Sequence, residues 1–198
     1  MTSDEAEPLA VHMAAEEQIC FSLLLKSAQS YVEFGTGGST VLAASVITQS
    51  IVAIDSSREW LDKVASSCTR AVTKVKPRLV YADIGPTGEW GRPIDGSCME
   101  RWGLYSTEIW KIDGADNADL YLVDGRFRVA CFMETMMRCR ADAIVVMHDY
   151  APRAEYHIVE QFARPILVCS NLSAFVRRSD FDRIKAAATL ERFRYISG

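Results

Sequence analysis

Residues 30–39 read SYVEFGTGGS, a short apolar run with one acid, Glu33, followed by three glycines among small polar residues. The apolar run predicts a buried strand that ends at Gly35, because glycine accepts turn conformations that other residues avoid. The next run, TVLAASVIT at 40–48, is small and apolar on most faces and predicts a buried helix. A glycine turn between a strand and a helix lets the backbone approach a ligand without a Cβ in the way.

The alternation of strand and helix continues along the chain in both directions. Further strands are predicted at 51–55, 78–83, 119–124, 143–149, 165–170 and 174–179, and helices at 8–28, 58–68, 126–139, 155–163 and 181–193. Uniformly apolar strands between helices are typical of a parallel sheet buried on both faces. The last two strands are closely spaced and predict an antiparallel hairpin at the edge. We therefore expect one α/β domain over residues 1–198, doubly wound, with its ligand at the carboxyl ends of the strands.

Most predicted parallel strands end in an acid. Glu33 closes the first, Asp55 the second, Asp83 the third, Asp124 the fourth and Asp149 the fifth. Because parallel strands end at the same edge of a sheet, these carboxylates are expected along one rim. Asp55 lies 20 residues after Gly35, the offset at which an acid meets ribose hydroxyls in dinucleotide-binding folds.

The turn differs from that of nicotinamide-dependent dehydrogenases, which place a glycine where this chain has Thr40. Glu33 precedes the turn, and its negative charge would repel a pyrophosphate but suits a ligand with sulfonium and ammonium groups. The pattern therefore favours a cationic nucleoside without phosphate, and S-adenosylmethionine is the obvious one.

At YVEFGTGGST, residues 31–40, the chain resembles the class I S-adenosylmethionine-dependent methyltransferases, a resemblance that extends from about residue 28 to the C-terminus. It implies a mostly parallel, Rossmann-like seven-stranded sheet in the order 3-2-1-4-5-7-6, with an antiparallel C-terminal strand. The cofactor residues that it implies, together with their neighbours in the turns, are Glu33, Gly35, Thr36, Gly37, Asp55, Ser56, Asp83 and Asp124. Glu33, Gly35 and Gly37 would surround the methionine part, Asp55 would hold the ribose, and Asp83 would lie near the adenine.

Asp124 and Asp149 close neighbouring strands, with His148 beside Asp149. This arrangement resembles the metal-assisted O-methyltransferases, in which acids at these strand ends hold Mg²⁺. Such an ion would lower the pKa of a substrate hydroxyl, and His148 would then be the general base. Tyr150 and Ala151 follow where those families have a further acid or amide, so the resemblance at the metal site is incomplete. Asp124, His148 and Asp149 are the predicted catalytic residues.

Residues 84–118 hold six of the eleven glycines and three of the four tryptophans, Trp90, Trp102 and Trp110. A segment this long is expected to be a lid that covers the cofactor and shapes the acceptor pocket; alternatively, it is a surface excursion that the tryptophans pack onto the core. Arg126 and Arg128, after the fourth strand, are either a solvated helix start or a grip for an anionic substrate.

Composition limits the partners. The net charge is -4 with no basic block, which argues against a nucleic-acid substrate. The six cysteines form no CxxC pair, the N-terminal MTSDEAEPLA is not a signal peptide, and no run reaches the length of a membrane span. We expect a cytoplasmic protein that acts on a small-molecule acceptor without a membrane partner. Whether it forms a homo-oligomer stays open.

The sequence thus favours methyl transfer from S-adenosylmethionine to a small molecule, on an oxygen atom. One alternative is a nicotinamide-dependent oxidoreductase, disfavoured by the missing third glycine and the lack of a Tyr-x-x-x-Lys pair. A second alternative is a binding or scaffolding protein that has the fold but no catalysis.

Overall fold

Strand β1 (Ser30–Phe34) lies at the centre of the structure, a computed structural model that describes residues 9–198. All five of its residues are buried. It pairs in parallel with β2 (Ser50–Asp55) on one side and with β4 (Leu120–Val123) on the other. A strand enclosed in this way presents both faces to apolar helices, which is why SYVEF is so poor in charge.

One seven-stranded sheet has the order β3-β2-β1-β4-β5-β7-β6. The remaining strands are β3 (Arg78–Tyr81), β5 (Ile144–Met147), β6 (Ala163–Cys169) and β7 (Leu172–Arg177). The pairs β2–β3 and β4–β5 are parallel, whereas β7 is antiparallel to both β5 and β6. The strand order and the antiparallel C-terminal hairpin confirm the predicted fold.

Helices cover both faces of the sheet. They are α1 (Ala15–Lys26), α2 (Gly38–Val46), α3 (Arg58–Arg70), α4 (Leu104–Thr107), α5 (Arg128–Arg138) and α6 (Arg183–Phe193). Helices α1, α2 and α3 contribute Phe21, Ala43 and Val64 to one apolar cluster, and α4, α5 and α6 pack in the other. Among the described residues, no helix is long and apolar enough to cross a membrane.

Two helix predictions need correction. The first helix begins at Ala15, and Pro8, its predicted start, lies outside the described residues. The Ala14 backbone N–H donates to Glu17 Oε2 at 2.8 Å, so the Glu17 side chain satisfies a backbone donor where the helix begins. The helix predicted at 155–163 is a 3-10 helix, Ala154–Gln161.

The 84–118 segment consists of short helical turns, and its second half enters the core. The rings of Trp102 and Tyr105 each lie 5.7 Å from that of Phe127, and Trp110 lies 5.8 Å from Phe34, between ring centroids. Trp90 is the exception, with 68% of its surface exposed. Two of the three tryptophans therefore pack the segment onto the sheet, and its action as a lid stays a prediction.

Two glycines let the ends of β1 and β4 come together. Gly35 has a φ of +96°, and a Cβ there would lie 2.5 Å from the Cα and N of Gly125. The Gly125 N–H in turn donates to the Phe34 carbonyl at 2.7 Å. No larger residue fits at Gly35 without moving the backbone that follows β4.

We expect Gly35→Ala to lower the free energy of unfolding by about 3 kcal/mol, because it combines a disfavoured φ with overpacking against Gly125. Gly114→Ala is the control: its φ is +82°, but no heavy atom of the described part of the chain lies within 4 Å of the added Cβ. That variant is expected to lose only about 1 kcal/mol. Urea denaturation measures both, and equal losses would show that the approach of Gly125 is not the cause.

Candidate functional site

The glycine turn after β1 is built over Glu33. This side chain is fully buried, and its carboxyl oxygens accept hydrogen bonds from the hydroxyls of Ser39 and, at 2.6 Å, Thr40. Thr40 Oγ1 also accepts from the Gly37 N–H at 3.0 Å, so the acid orders the start of α2. Burial raises the pKa of Glu33 to about 8 against these hydrogen bonds, with the charges of Asp124 and Asp55 adding to the rise.

Asp55 holds the same turn from the side of β2. Its Oδ2 accepts from the Thr36 N–H at 3.1 Å and lies 3.3 Å from Thr36 Oγ1. Its Oδ1 accepts from the N–H groups of Ser56 at 2.7 Å and Ser57 at 3.1 Å. Burial raises the pKa of Asp55, although the backbone hydrogen bonds oppose this. The structure thus brings six predicted residues together at the ends of β1 and β2: Glu33, Gly35, Thr36, Gly37, Asp55 and Ser56.

Asp83 lies outside this group, at the end of β3. Its carboxylate is half exposed and pairs with the Arg101 guanidinium at 2.6 Å. It also accepts from the Gly85 N–H at 3.2 Å. Asp83 therefore holds the beginning of the 84–118 segment, whereas its predicted contact with adenine stays a prediction.

Asp124, His148 and Asp149 meet at the ends of β4 and β5, as the topology predicts. Each offers one atom that a metal ion could use, and these atoms lie within 4.8 Å of one another. His148 Nδ1 lies 3.0 Å from Asp124 Oδ1 and 3.8 Å from Asp149 Oδ1. Asp149 has a φ of 54°, a left-handed backbone rare for a residue other than glycine, and such strain is common at functional sites.

A guanidinium lies between the two carboxylates. Arg128 Nη2 is 3.2 Å from Asp124 Oδ1, and Nη1 is 3.0 Å from Asp149 Oδ2. Arg128 also donates to the carbonyls of Gly125 and Asp124, at 3.0 and 2.9 Å, and to that of His148. Only 4% of this side chain is exposed. The two predicted Mg²⁺ ligands therefore already share a cation that belongs to the chain.

The second ring nitrogen of His148 faces Glu17 of α1. Nε2 lies 3.2 Å from Glu17 Oε2, and Glu17 Oε1 accepts from the Asn171 N–H at 2.7 Å. Burial opposes the positive charge of His148 and lowers its pKa. The carboxylates outweigh this effect and raise the pKa of His148 to about 9: Asp124 through a hydrogen bond and its charge, Asp149 through its charge, and Glu17 through a hydrogen bond. Burial likewise opposes the charge of Glu17, whose pKa is lowered overall by bonds from Ala14, Asn171 and His148.

This environment disfavours the general-base role predicted for His148. With a pKa of about 9 the imidazole is protonated at neutral pH, and both of its nitrogens face carboxylates. A general base must be able to accept a proton at the working pH. In its protonated form His148 pairs with Asp124 and with Glu17 of α1, and its role as a general base stays a prediction.

Sequence reasoning did not identify Glu17 as part of the site and treated Arg128 only as a surface or substrate-binding arginine. Glu17 stands 131 residues before His148, so their contact arises only from folding. The available signal was local: Glu17 follows Ala14 by three residues, the spacing of a capping acid. For Arg128, the signal was its position in the sequence between Asp124 and Asp149, the acids that end two neighbouring strands.

Known proteins supply an independent comparison. No protein-family model matches the chain, and no curated protein matches it. Among solved structures, a methyltransferase-like protein from Silicibacter pomeroyi is 27% identical, with a TM-score of 0.86 over 95% of this chain and 98% of that one.

Two more distant structures show the same fold. A methyltransferase from Geobacter sulfurreducens is 17% identical, with a TM-score of 0.57 over 84% of this chain and 80% of that one. The O-methyltransferase TomG from Streptomyces achromogenes, involved in tomaymycin synthesis and solved in complex with SAM, is 16% identical, with a TM-score of 0.54 over 84% of this chain and 82% of that one.

The sheet and the glycine turn are those of an α/β fold of the kind that binds nucleotide cofactors. More narrowly, the chain has the fold of the class I S-adenosylmethionine-dependent methyltransferases, and its structural neighbours are methyltransferases of this class. They support methyl transfer in general and leave the acceptor to be identified.

The charge of His148 makes stability depend on pH. Its folded pKa of about 9 exceeds the usual 6.5, so the stabilisation is full below pH 6.5 and is lost as the pH rises through 9. We expect this loss to lower the free energy of unfolding by up to about 3 kcal/mol over this interval. In His148→Gln the fall over this interval should be smaller by about 3 kcal/mol, while the part due to Glu33, whose pKa of about 8 lies in the same interval, should remain; urea denaturation at pH 6.5, 8 and 9.5 would measure both. An unchanged slope in the variant would assign the effect to another group.

Proposed function

We propose that this protein transfers the methyl group of S-adenosylmethionine to an oxygen atom of a small-molecule acceptor. The observation that carries the proposal is the glycine turn of residues 33–37 at the centre of a sheet with the methyltransferase strand order. The buried carboxyl group of Glu33 holds this turn through the hydroxyls of Ser39 and Thr40. Bound S-adenosylmethionine supplies a methyl group already activated on a sulfonium sulfur. The remaining work of the chain is to hold donor and acceptor in line and to receive a proton from the acceptor hydroxyl.

The turn is shaped for a close-fitting ligand. At Gly37 an added Cβ would meet, among residues 9–198, only the Trp60 ring, at 3.9 Å, so the missing side chain leaves room beside the turn. The Trp60 indole N–H donates to the Thr36 carbonyl at 2.7 Å and keeps this wall in place. Asp55 is the proposed ribose acceptor, with a ribose hydroxyl replacing the weak contact from Thr36 Oγ1. Glu33 supports the turn from beneath. Because its pKa of about 8 keeps it mostly neutral at pH 7, the negative charge from which the sequence favoured a cationic ligand is largely absent, and the proposal rests on the shape of the turn.

For the transfer itself, Asp149 is better placed than His148 to receive a proton. Its carboxylate is one-third exposed, whereas 9% of the His148 side chain is exposed. The guanidinium groups of Arg128 and Arg153, 3.0 and 3.6 Å from Asp149 Oδ2, orient the carboxylate. Asp124 is proposed to face the cofactor and acceptor while it pairs with His148.

We further propose that the site works without Mg²⁺. The residues do not suit the ion well, because Arg128 already neutralises Asp124 and Asp149 and His148 carries a positive charge. A divalent cation would have to displace the guanidinium and meet a protonated imidazole, and both oppose binding.

The cofactor proposal is tested by calorimetric titration of S-adenosylmethionine and its demethylated product, with NADH as a comparison. We expect micromolar binding of the first two and none of NADH. Asp55→Ala should weaken binding at least tenfold, or about 1.4 kcal/mol, because it removes both the ribose acceptor and the support of Thr36. Asp62→Ala, on the exposed side of α3, is the control.

Three outcomes separate the candidate functions. Absence of binding by the wild-type protein would contradict the proposal, and binding of NADH would favour an oxidoreductase. Binding without release of the demethylated product, across a set of hydroxylated acceptors, would favour the binding or scaffolding alternative.

The metal proposal has its own measurement. Mg²⁺ at millimolar concentration should leave the Tm of the wild-type protein unchanged relative to NaCl of equal ionic strength, because no vacant ligand set attracts it. Asp149→Asn is the comparison variant. A Mg²⁺-dependent rise in Tm that this variant abolishes would show a metal site at Asp124 and Asp149.

A further inference from the structure

Arg126 and Arg128 stand two residues apart after β4 but have opposite environments. The Arg128 guanidinium is satisfied by two carboxylates and several carbonyls. Arg126 is 9% exposed, yet its Nε and Nη1 atoms are buried and have no hydrogen-bond partner among residues 9–198. Within the same residues, no carboxylate lies within 4.0 Å of its guanidinium, whereas nearly every buried charge in proteins is paired.

The surroundings of Arg126 add positive charge instead of compensating it. Burial lowers the pKa of Arg126, and the nearby charges of Arg128 and Arg92 lower it further. The phenols of Tyr105 and Tyr156 also influence it. A guanidinium that is mostly removed from water and lacks a counter-ion is costly, and an anion with two or more oxygens is the partner that its planar donors fit best.

Arg126 also lies where an acceptor would be held. It follows Asp124 and Gly125 at the end of β4, and a Cβ on Gly91 of the 84–118 segment would lie 4.0 Å from Arg126 Cγ and 3.1 Å from Ser56 Oγ. The segment predicted to cover the acceptor therefore runs past Arg126. Tyr156, which influences it electrostatically, lies in the 3-10 helix that follows β5 in the chain.

We infer that Arg126 binds a carboxylate or phosphate group of the acceptor, so that the substrate is a small anionic molecule. This inference rests on the proposed methyl transfer, because it places the anion in the acceptor half of that site. Arg126 serves as a specificity-determining residue: its unpaired donors bind an oxyanion and leave the rest of the acceptor toward Asp149.

The experiment uses thermal denaturation of the full chain with inorganic phosphate and, separately, benzoate, each against NaCl of equal ionic strength. Both series are run with and without the demethylated cofactor. For the wild-type protein we expect at least one anion to raise the Tm by about 4 °C at about ten times its Kd. Phosphate and benzoate distinguish the two kinds of oxyanion.

Arg126→Gln should abolish this rise. Because it removes an unpaired buried charge, it should not lower the Tm in NaCl alone. Arg178→Gln, which removes an exposed arginine paired with Asp180, is the matched control and should keep the rise. Calorimetry with the demethylated cofactor should give the same Kd, within twofold, for all three proteins.

Other outcomes overturn the inference. Absence of a rise in the wild-type protein, or a rise that Arg126→Gln keeps, would show that Arg126 holds no anion. A tenfold loss of cofactor affinity in Arg126→Gln would assign the residue to the methionine carboxylate of the cofactor and not to the acceptor. Failure of the wild-type protein to bind the cofactor would instead contradict the proposed function, whatever the anions do.

Discussion

The guanidinium of Arg128 is the constraint on which the candidate site depends. A buried positive charge must be paired, and Arg128 obtains its partners from the ends of β4 and β5 together: the Asp124 and Asp149 carboxylates and the Gly125 and His148 carbonyls. The sheet makes the ends of β4 and β5 neighbours, and these bonds fix the distance between them. They also hold the side chain of Asp149, whose backbone is left-handed with a φ of 54°.

The constraint extends to the N-terminal part of the chain. His148 contacts Asp124 through Nδ1 and Glu17 through Nε2. Glu17 in turn accepts hydrogen bonds from the Ala14 N–H at the start of α1 and from the Asn171 N–H. The stretch before α1 therefore lies against the site. A Cβ on Gly38 would lie 2.2 Å from the Ala10 carbonyl, so this segment passes directly over the start of α2. The segment before α1 is thus fixed at two places. One is the group of charges at the ends of β4 and β5, and the other is the close packing of Ala10 against Gly38 at the start of α2.

The sequence was sufficient for the fold and for the glycine turn. Apolar strands such as β1 and β4 cannot be placed anywhere but in the interior of a parallel sheet, and the strand-end acids then fall on one rim. The sequence also placed Asp124, His148 and Asp149 together. What it could not supply was their protonation state, because the pKa of His148 depends on its burial, on its distances to Asp124 and Asp149, and on Glu17, a residue 131 positions away. The general-base role was assigned to His148 from its position at a strand end beside Asp149, and a pKa of about 9 disfavours that role at neutral pH.

The same reasoning explains why the two arginines after β4 could not be told apart. In the sequence both precede or begin a helix, and both were open to a solvated or a ligand-binding role. Residue 128 is the first of α5, and its side chain reaches back over the strand ends, where carboxylates and carbonyls satisfy it. Residue 126 belongs to the turn before the helix, where the charges of Arg128 and Arg92 and the phenols of Tyr105 and Tyr156 act on it. A buried charge must be balanced by its surroundings. Asp124 and Asp149 balance Arg128, which is therefore structural, whereas the inferred anion balances Arg126.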